Sequence, residues 1–125
     1  MARPPDVLIL GGRPEGWHGA RLRSALERLG FTVARADLAT CSLEGGKVRV
    51  GRLDQPPSIA LVRSVPAGSF EQVTLRLGVL HALEALGVPV VNSARAIERC
   101  VDKSMTSFLL ARAGVPTPDT WALES

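Results

Sequence analysis

Short apolar runs alternate with amphipathic segments along most of this chain. Residues 6–10 and 58–62 are nearly continuous apolar runs, the pattern of central strands that are buried on both faces of a parallel sheet. Residues 19–29 carry an apolar stripe at helical spacing, and Gly30 follows at the position that favours a helix end. The alternation therefore predicts βαβ units, in which helical crossovers join parallel strands.

Three further segments complete an α/β domain. Residues 31–36 and 88–91 are predicted to be strands, and residues 68–86 form the longest helical pattern, which Gly87 ends. The apolar positions of that pattern are Phe70, Val73, Leu77, Leu80, Leu83 and Leu86. We therefore expect an α/β fold with an open, mostly parallel sheet of about four core strands flanked by helices, a Rossmann-like arrangement.

Two regions depart from this alternation. In residues 42–54, Gly45 and Gly46 suit a tight turn, and the alternating apolar and basic positions that follow predict a small β-ribbon insertion. Residues 94–125 predict two helices and a Pro-rich exit, which together form a C-terminal helical linker. The first region is an insertion in the α/β domain, and the second region lies outside that domain.

Composition narrows the class of protein. A length of 125 residues suits one domain, and 46% hydrophobic with 22% charged residues argues against disorder. No apolar run approaches the roughly 18 residues of a membrane span, and the N-terminus shows no separate signal segment, so we expect a cytoplasmic protein without a membrane partner. The cysteines, Cys41 and Cys100, match no metal-ligand spacing, and we expect them to be reduced, partly buried and structural.

The positive charge is dispersed. The net charge is +3, and only two of the 15 basic residues are lysines, Lys47 and Lys103. No basic run is interleaved with aromatic residues, so the sequence does not favour a nucleic-acid partner.

The loops after the strands are the candidate ligand-binding segments, because open α/β sheets bind ligands beyond the carboxyl ends of their strands. The loop that starts at Gly11 lacks a dinucleotide fingerprint, since Arg13 occupies the place of its second glycine, and it lacks the Lys-Ser/Thr ending of a P-loop. We expect it to face a substrate instead, with Gly12 and Arg13 as candidate substrate-binding residues. His18 lies in this loop without an acidic or nucleophilic partner, so we predict no catalytic residue.

Two other strand ends carry polar candidates. Arg63 could clamp a substrate carboxylate, or it could form an ion pair between domains or subunits, and both alternatives stay open. Asn92 could contact a ligand, or it could cap the helix that follows. Ser69 and Gln72 have the spacing of an N-terminal capping box.

The pair Asp102-Lys103 is the most specific polar feature. Asp102 can cap the helix that begins after it by accepting from the N–H of Met105. Lys103 then lies in the first helical turn, where an ammonium group opposes the helix dipole. A phosphate ligand would explain a lysine at this position, although a solvated surface group is the alternative.

Residues 86–121 carry a family resemblance. Asn92 precedes Ala96-Ile97, the Asp102-Lys103 pair follows, and a helix then leads to Gly114-Val-Pro-Thr-Pro118. This order resembles the hinge of the RimK-like ATP-grasp ligases, where the pre-ATP-grasp domain is connected to the ATP-binding domains. Residues 63–76 also resemble ligases that attach glutamate to tetrahydromethanopterin or to the deazaflavin cofactor.

The resemblance implies a carboxylate–amine ligase that uses ATP and Mg²⁺ to join an acceptor carboxylate to an amino acid such as glutamate. It implies that Lys103 reaches the ATP phosphates, and that residues 1–93 are the pre-ATP-grasp domain and residues 94–125 the start of the ATP-grasp region. The metal ligands of the family lie downstream, so we assign none here and expect the chain alone to be inactive.

The sequence leaves one functional alternative and one expectation about assembly. The alternative is a free-standing Rossmann-like binding or interaction module without catalysis. We also expect an exposed apolar patch around Val115, Trp121 and Leu123, which would favour homo-oligomers.

Overall fold

Six strands and four helices make up the part of the chain that the structure, a computed structural model, describes: residues 3–12 and 15–124. The strands are β1 (Val7–Gly11), β2 (Val33–Asp37), β3 (Ser42–Glu44), β4 (Lys47–Arg49), β5 (Ile59–Val62) and β6 (Val90–Val91). The helices are α1 (Trp17–Arg28), α2 (Phe70–Ala85), α3 (Ala94–Val101) and α4 (Lys103–Arg112). A 3₁₀ turn, Leu38–Thr40, follows β2.

The main sheet is parallel, with the strand order β2-β1-β5-β6. β1 is central, because Leu8 pairs with Ala34 of β2 on one side and with Ala60 of β5 on the other. Every residue of Val7–Leu10 is at most 4% exposed, as expected for a strand of a parallel sheet that is covered on both faces. The predicted α/β fold with a parallel sheet is confirmed.

α2 supplies much of the core. Val79, Leu80 and Leu83 are at most 1% exposed, whereas Phe70 and Leu86, from the same predicted apolar stripe, are 81% and 55% exposed. The stripe was therefore predicted too long at both ends, because Phe70 is the first residue of the helix and Leu86 lies just beyond its last turn. The helix starts at a capping box, in which Ser69 accepts from the N–H of Gln72 and the Gln72 side chain accepts from the N–H of Ser69, as predicted.

α1 begins earlier than the sequence pattern predicted. Trp17 and His18 lie in its first turn rather than in the preceding loop, with Gly16 as the N-cap residue. At the other end Gly30 has a φ of 89°, a left-handed conformation that ends the helix where predicted.

The predicted insertion is an antiparallel ribbon of β3 and β4. Gly45 and Gly46 connect its strands with φ values of 54° and 79°, which residues with a side chain rarely adopt. The ribbon packs against α2.

The chain divides into two compact units, Met1–Ala94 and Arg95–Ser125. The first contains the sheet, the ribbon, α1 and α2. The second contains most of α3 and all of α4, and none of the residues of α4 is buried. The assignment of residues 1–93 to a pre-ATP-grasp domain and of residues 94–125 to a linker stays a prediction, because compactness does not assign those roles.

The cysteines differ from each other. Both are free, Cys41 is buried, and Cys100 is exposed, so the expectation of partial burial was wrong for Cys100. Burial raises the pKa of the Cys41 thiol, which keeps it protonated at neutral pH. Among the described residues, no helix combines the length and the apolar character that a membrane span requires.

Candidate functional site

A crevice lies where the direction of the strand order reverses. β2 pairs with one edge of β1, and β5, the next strand of the sheet along the chain, pairs with the other edge. The switch point therefore lies between β1 and β5. The crevice at their carboxyl ends has a volume of about 280 Å³. Its lining residues are Ile9, Gly11, Gly12, Glu15, Gly16, His18, Gly19, Arg35, Arg63 and Ser64.

The loops after β1 and β5 approach each other closely. The N–H of Gly12 donates to Ser64 Oγ at 3.3 Å, and the N–H of Arg63 donates to the carbonyl of Leu10 at 2.7 Å. A Cβ at Gly11 would lie 3.2 Å from Ser64 Oγ, and a Cβ at Gly12 would lie 3.4 Å from Cγ of Pro66. The two glycines therefore allow the loops after β1 and β5 to approach this closely.

Glu15 joins two basic side chains on one wall of the crevice. Its carboxylate accepts from Arg23 Nε at 3.3 Å and from Arg23 Nη2 at 2.9 Å, and it lies 3.9 Å from Arg35 Nε. Hydrogen bonds from Arg23 make the largest contribution to lowering the pKa of the Glu15 carboxyl, and the charge of Arg35 contributes less. The Glu15 carboxylate in turn raises the pKa of Arg23. Gly19 makes room for this arrangement, since a Cβ there would lie 3.2 Å from Glu15 Cγ.

The two arginines that line the crevice have different surroundings. Arg35 is half-buried, and its Nη2 donates to the carbonyl of Gly12. Arg63 is exposed, and its guanidinium forms no hydrogen bond or ion pair with the residues that the structure describes. Arg35 is therefore held in one orientation, whereas Arg63 is available for a ligand.

A buried arginine holds the loop after β5. Arg76 of α2 is 9% exposed, the one buried charged side chain among the described residues. Its Nη1 donates to the carbonyls of Pro66 at 2.7 Å and of Ala67 at 3.0 Å. Gly68 is needed beside it, because a Cβ there would lie 2.7 Å from Arg76 Nη1 and 2.5 Å from Gln72 Oε1. The loop that carries Arg63 is thus fixed at its far end.

Lys103 belongs to the second unit and is exposed. Asp102 is the N-cap of α4, where it accepts from the N–H of Met105 at 3.0 Å, as predicted. This bond, followed by the one from the Ser104 hydroxyl, lowers the pKa of Asp102. α4 therefore begins at Lys103, which places the ammonium group in the first helical turn.

The structure brings together only part of the predicted site. Gly12 and Arg63 line one crevice, whereas Asn92 does not line it and is exposed after β6. The backbone N–H of Ala94, which begins α3, donates to Glu84 Oε1 at 2.9 Å. Arg13 lies outside the described residues, so its candidacy stays a prediction.

Sequence reasoning missed Glu15, Arg35 and Ser64. Arg35 had one usable signal, since a charged residue inside an apolar strand needs a polar surrounding. The described residues contain no group of three or more His, Cys, Asp or Glu side chains that could hold a metal ion.

Comparison with known proteins identifies the relatives of this chain. No protein-family model matches it. It is 36% identical to the tetrahydromethanopterin:alpha-L-glutamate ligase of Methanosarcina acetivorans, over 90% of this chain and 37% of that protein. It is 31% identical to N-acetylaspartylglutamate synthase A of Mus musculus, over 94% of this chain and 30% of that protein. The chain is a relative of the RimK-like ATP-grasp ligases.

A solved ATP-grasp ligase supports the same assignment. The chain matches the ligase PsnB in complex with its minimal precursor with a TM-score of 0.63 and 26% identity, over 90% of this chain and 44% of PsnB. The predicted resemblance to the RimK-like ATP-grasp ligases is thus confirmed. The chain spans less than half the length of each of these relatives.

Proposed function

We propose that this chain is the N-terminal, pre-ATP-grasp domain of an ATP-dependent carboxylate–amine ligase that adds glutamate or a similar amino acid to an acceptor. The similarity to a glutamate ligase over 90% of the chain is the observation that carries this proposal. The names of both curated relatives contain glutamate, which supports an amino-acid substrate of that kind.

The proposed reaction has two transfers. A carboxylate oxygen of the acceptor attacks the terminal phosphorus of ATP, and ADP leaves. The amine nitrogen of the amino acid then attacks the resulting acyl phosphate carbon, phosphate leaves, and the nitrogen loses a proton. Mg²⁺ would neutralise charge on the transferring phosphate. By the resemblance to the RimK-like ligases, we assign the ligands of this ion to the ATP-grasp region downstream.

We assign Lys103 to the ATP phosphates. Asp102 starts α4 directly before it, so the lysine and the first-turn N–H groups of the helix share one end of α4. Helix N-termini favour anions, and a flexible ammonium group on the same turn adds a mobile positive charge. Phosphate binding thus explains why a lysine occupies a position where the dipole of its own helix disfavours a positive charge.

We assign the acceptor to the crevice between β1 and β5. Gly12 and Arg63 line it, and the guanidinium of Arg63, which has no partner among the described residues, supports binding of an acidic group. Arg13, which follows Gly12 in the sequence, and Asn92, which follows β6, remain candidates. PsnB is known in complex with a precursor peptide and AMPPNP, and we propose by analogy that this ligase also binds an acceptor together with ATP.

The two lysines of the chain provide a matched test of the ATP assignment. Lys103→Ala, in a ligase-active protein that contains this chain, should raise the KM for ATP by about tenfold or more, since a charge-assisted contact to phosphate is lost. Lys47→Ala removes the same side chain from the exposed ribbon strand β4 and should leave the KM unchanged. An unchanged KM in Lys103→Ala would contradict the assignment.

The chain by itself provides a second measurement. We expect no release of phosphate from MgATP by the 125-residue chain with glutamate present, because the other ATP contacts are supplied elsewhere in the ligase. Clear turnover by the chain alone would contradict its role as one domain of a larger ATP site.

A further inference from the structure

We propose that the crevice is a carboxylate-binding site in which Arg35, together with Arg63, receives one carboxylate group of the ligand. The proposal deepens the proposed function and rests on it only where the carboxylate is attributed to the acceptor. The site itself follows from the charges, hydrogen bonds and size of the crevice.

Arg63 provides the mobile half of this site. Its backbone is fixed by the bond from its N–H to the carbonyl of Leu10, but its guanidinium has no partner among the described residues. Its loop is held by Arg76 at the far end and by the bond between Gly12 and Ser64 at the near end. A guanidinium on a fixed loop that lines a crevice can bind a carboxylate with little loss of backbone freedom.

Arg35 provides the fixed half. Its Nη2 is committed to the carbonyl of Gly12, and its Nε lies 3.9 Å from Glu15. Glu15 is engaged more closely by Arg23, at 2.9 Å, so one carboxylate is shared between two guanidinium groups. Part of the positive charge of Arg35 is therefore left without a carboxylate partner on the crevice wall.

The charge balance favours a singly charged ligand. Among the described residues, the crevice lining and the ion pairs attached to it carry three positive side chains (Arg23, Arg35 and Arg63) and two negative ones (Glu15 and Glu27), which leaves one excess positive charge when His18 is counted as neutral. A single carboxylate balances this excess. A phosphate dianion would exceed it and would be repelled by Glu15 on the same wall.

Size and hydrogen bonding agree with this choice. A crevice of about 280 Å³ accommodates a short aliphatic acid. The hydroxyl of Ser64 accepts from the N–H of Gly12 and forms no other hydrogen bond with the described residues, so its hydrogen can be donated to a carboxylate oxygen.

Binding of small probes to the ¹⁵N-labelled chain tests the site directly. At pH 7.5, butyrate should shift the amide resonances of Gly12 and Ser64 in a saturable manner. Butyramide, which has the same shape without the charge, and inorganic phosphate, which is mainly a dianion, should bind at least about fivefold more weakly. Phosphate that binds as tightly as butyrate would overturn the proposal, as would butyramide that does so.

Three arginine variants assign the charge. Arg63→Gln and Arg35→Gln should each weaken butyrate binding by about fivefold to tenfold, since each removes one charge-assisted contact. Arg52→Gln, which removes an exposed arginine that does not line the crevice, should bind as the original chain does. Equal weakening in all three variants would show a general effect of net charge and would overturn the site.

Two features keep the test decisive. Arg63 is exposed, so its replacement leaves the fold intact, and Arg35→Lys keeps the charge if Arg35→Gln fails to fold. Arg35→Lys should bind butyrate more weakly than the original chain but better than Arg63→Gln. Full affinity in Arg35→Lys would show that the fixed guanidinium of Arg35 is not needed and would reject its role in the site. The titrations contain neither ATP nor glutamate, so their failure rejects the carboxylate site and leaves the Lys103 assignment to its own test.

Discussion

The helices α2 and α4 start in the same way but are stabilised differently. Ser69 caps α2 and Asp102 caps α4, each by accepting from a backbone N–H three residues later. α2 then buries Arg76, Val79, Leu80 and Leu83, whereas α4 buries none of its residues. A cap thus determines where a helix begins, and packing determines how strongly it is held.

This difference separates the two candidate functions of the chain. The crevice stands on a buried central strand and on a loop that a buried arginine holds, so its geometry is set before a ligand arrives. Lys103 stands on a helix of 10 residues, and isolated helices of that length are marginally stable in water. We therefore expect the proposed acceptor site to be rigid and Lys103, the proposed ATP contact, to be mobile.

The largest expected effect comes from truncating one leucine in each helix. Leu80 is fully buried, so Leu80→Ala should lower the free energy of unfolding by about 2 to 5 kcal/mol through lost burial and a cavity. Leu110 is 38% exposed, and Leu110→Ala should change it by about 0.5 kcal/mol or less. Urea unfolding followed by circular dichroism measures both. Similar losses in the two variants would break the contrast between the helices.

A smaller effect is expected from the arginines of the same two helices. Arg76→Met leaves the carbonyls of Pro66 and Ala67 without their donor and should cost about 1 to 3 kcal/mol of unfolding free energy. Arg112→Met, the control, removes an exposed guanidinium that lies 6.0 Å from the ring centre of Phe108 and should cost about 0.5 kcal/mol or less.

The loop itself gives an independent measurement for Arg76. In Arg76→Met the amide resonances of Gly12 and Ser64 should move or broaden, because the loop after β5 loses its fixed end. Unchanged resonances together with a lost stability would show that Arg76 stabilises α2 without positioning the crevice.

Features that depend on neighbours in sequence were predictable. The capping box of Ser69 and Gln72 and the cap of Asp102 each join residues three positions apart, so spacing alone indicated them. The central strand β1 was predictable because a strand that is buried on both faces is apolar throughout. The glycine turn of the ribbon followed from a backbone preference that glycine meets.

Features that depend on tertiary contacts were not predictable. Arg35 donates to a carbonyl 23 residues earlier, and Arg76 donates to carbonyls 9 and 10 residues before it. No spacing rule connects such positions, because the fold brings them together. The exposure of Phe70 has a related cause, since helical spacing identifies a face but not the point where the packing partner ends.

The smallest expected effect is a pH dependence that differs between the two units. The pKa of Glu15 in the folded chain is lowered from 4.5, chiefly by its hydrogen bonds from Arg23. Because the folded value is the lower one, Glu15 stabilises the fold above pH 4.5, and this contribution is lost as the pH falls through the folded pKa. Glu15→Gln should therefore be less stable at pH 7 and should lose less stability between pH 5 and about pH 3.

Asp102 titrates with the same sign, since the N–H of Met105 and the Ser104 hydroxyl lower its pKa from 3.8. Its protonation weakens only the cap of α4, so acid should speed amide exchange in α4 without moving the unfolding transition of the first unit. Asp102→Asn keeps a capping oxygen but cannot titrate, and its α4 exchange should be less sensitive to acid once the intrinsic rate is corrected. If the Asp102→Asn substitution moved the unfolding transition of the first unit, α4 would be shown to stabilise the sheet although it has no buried residues.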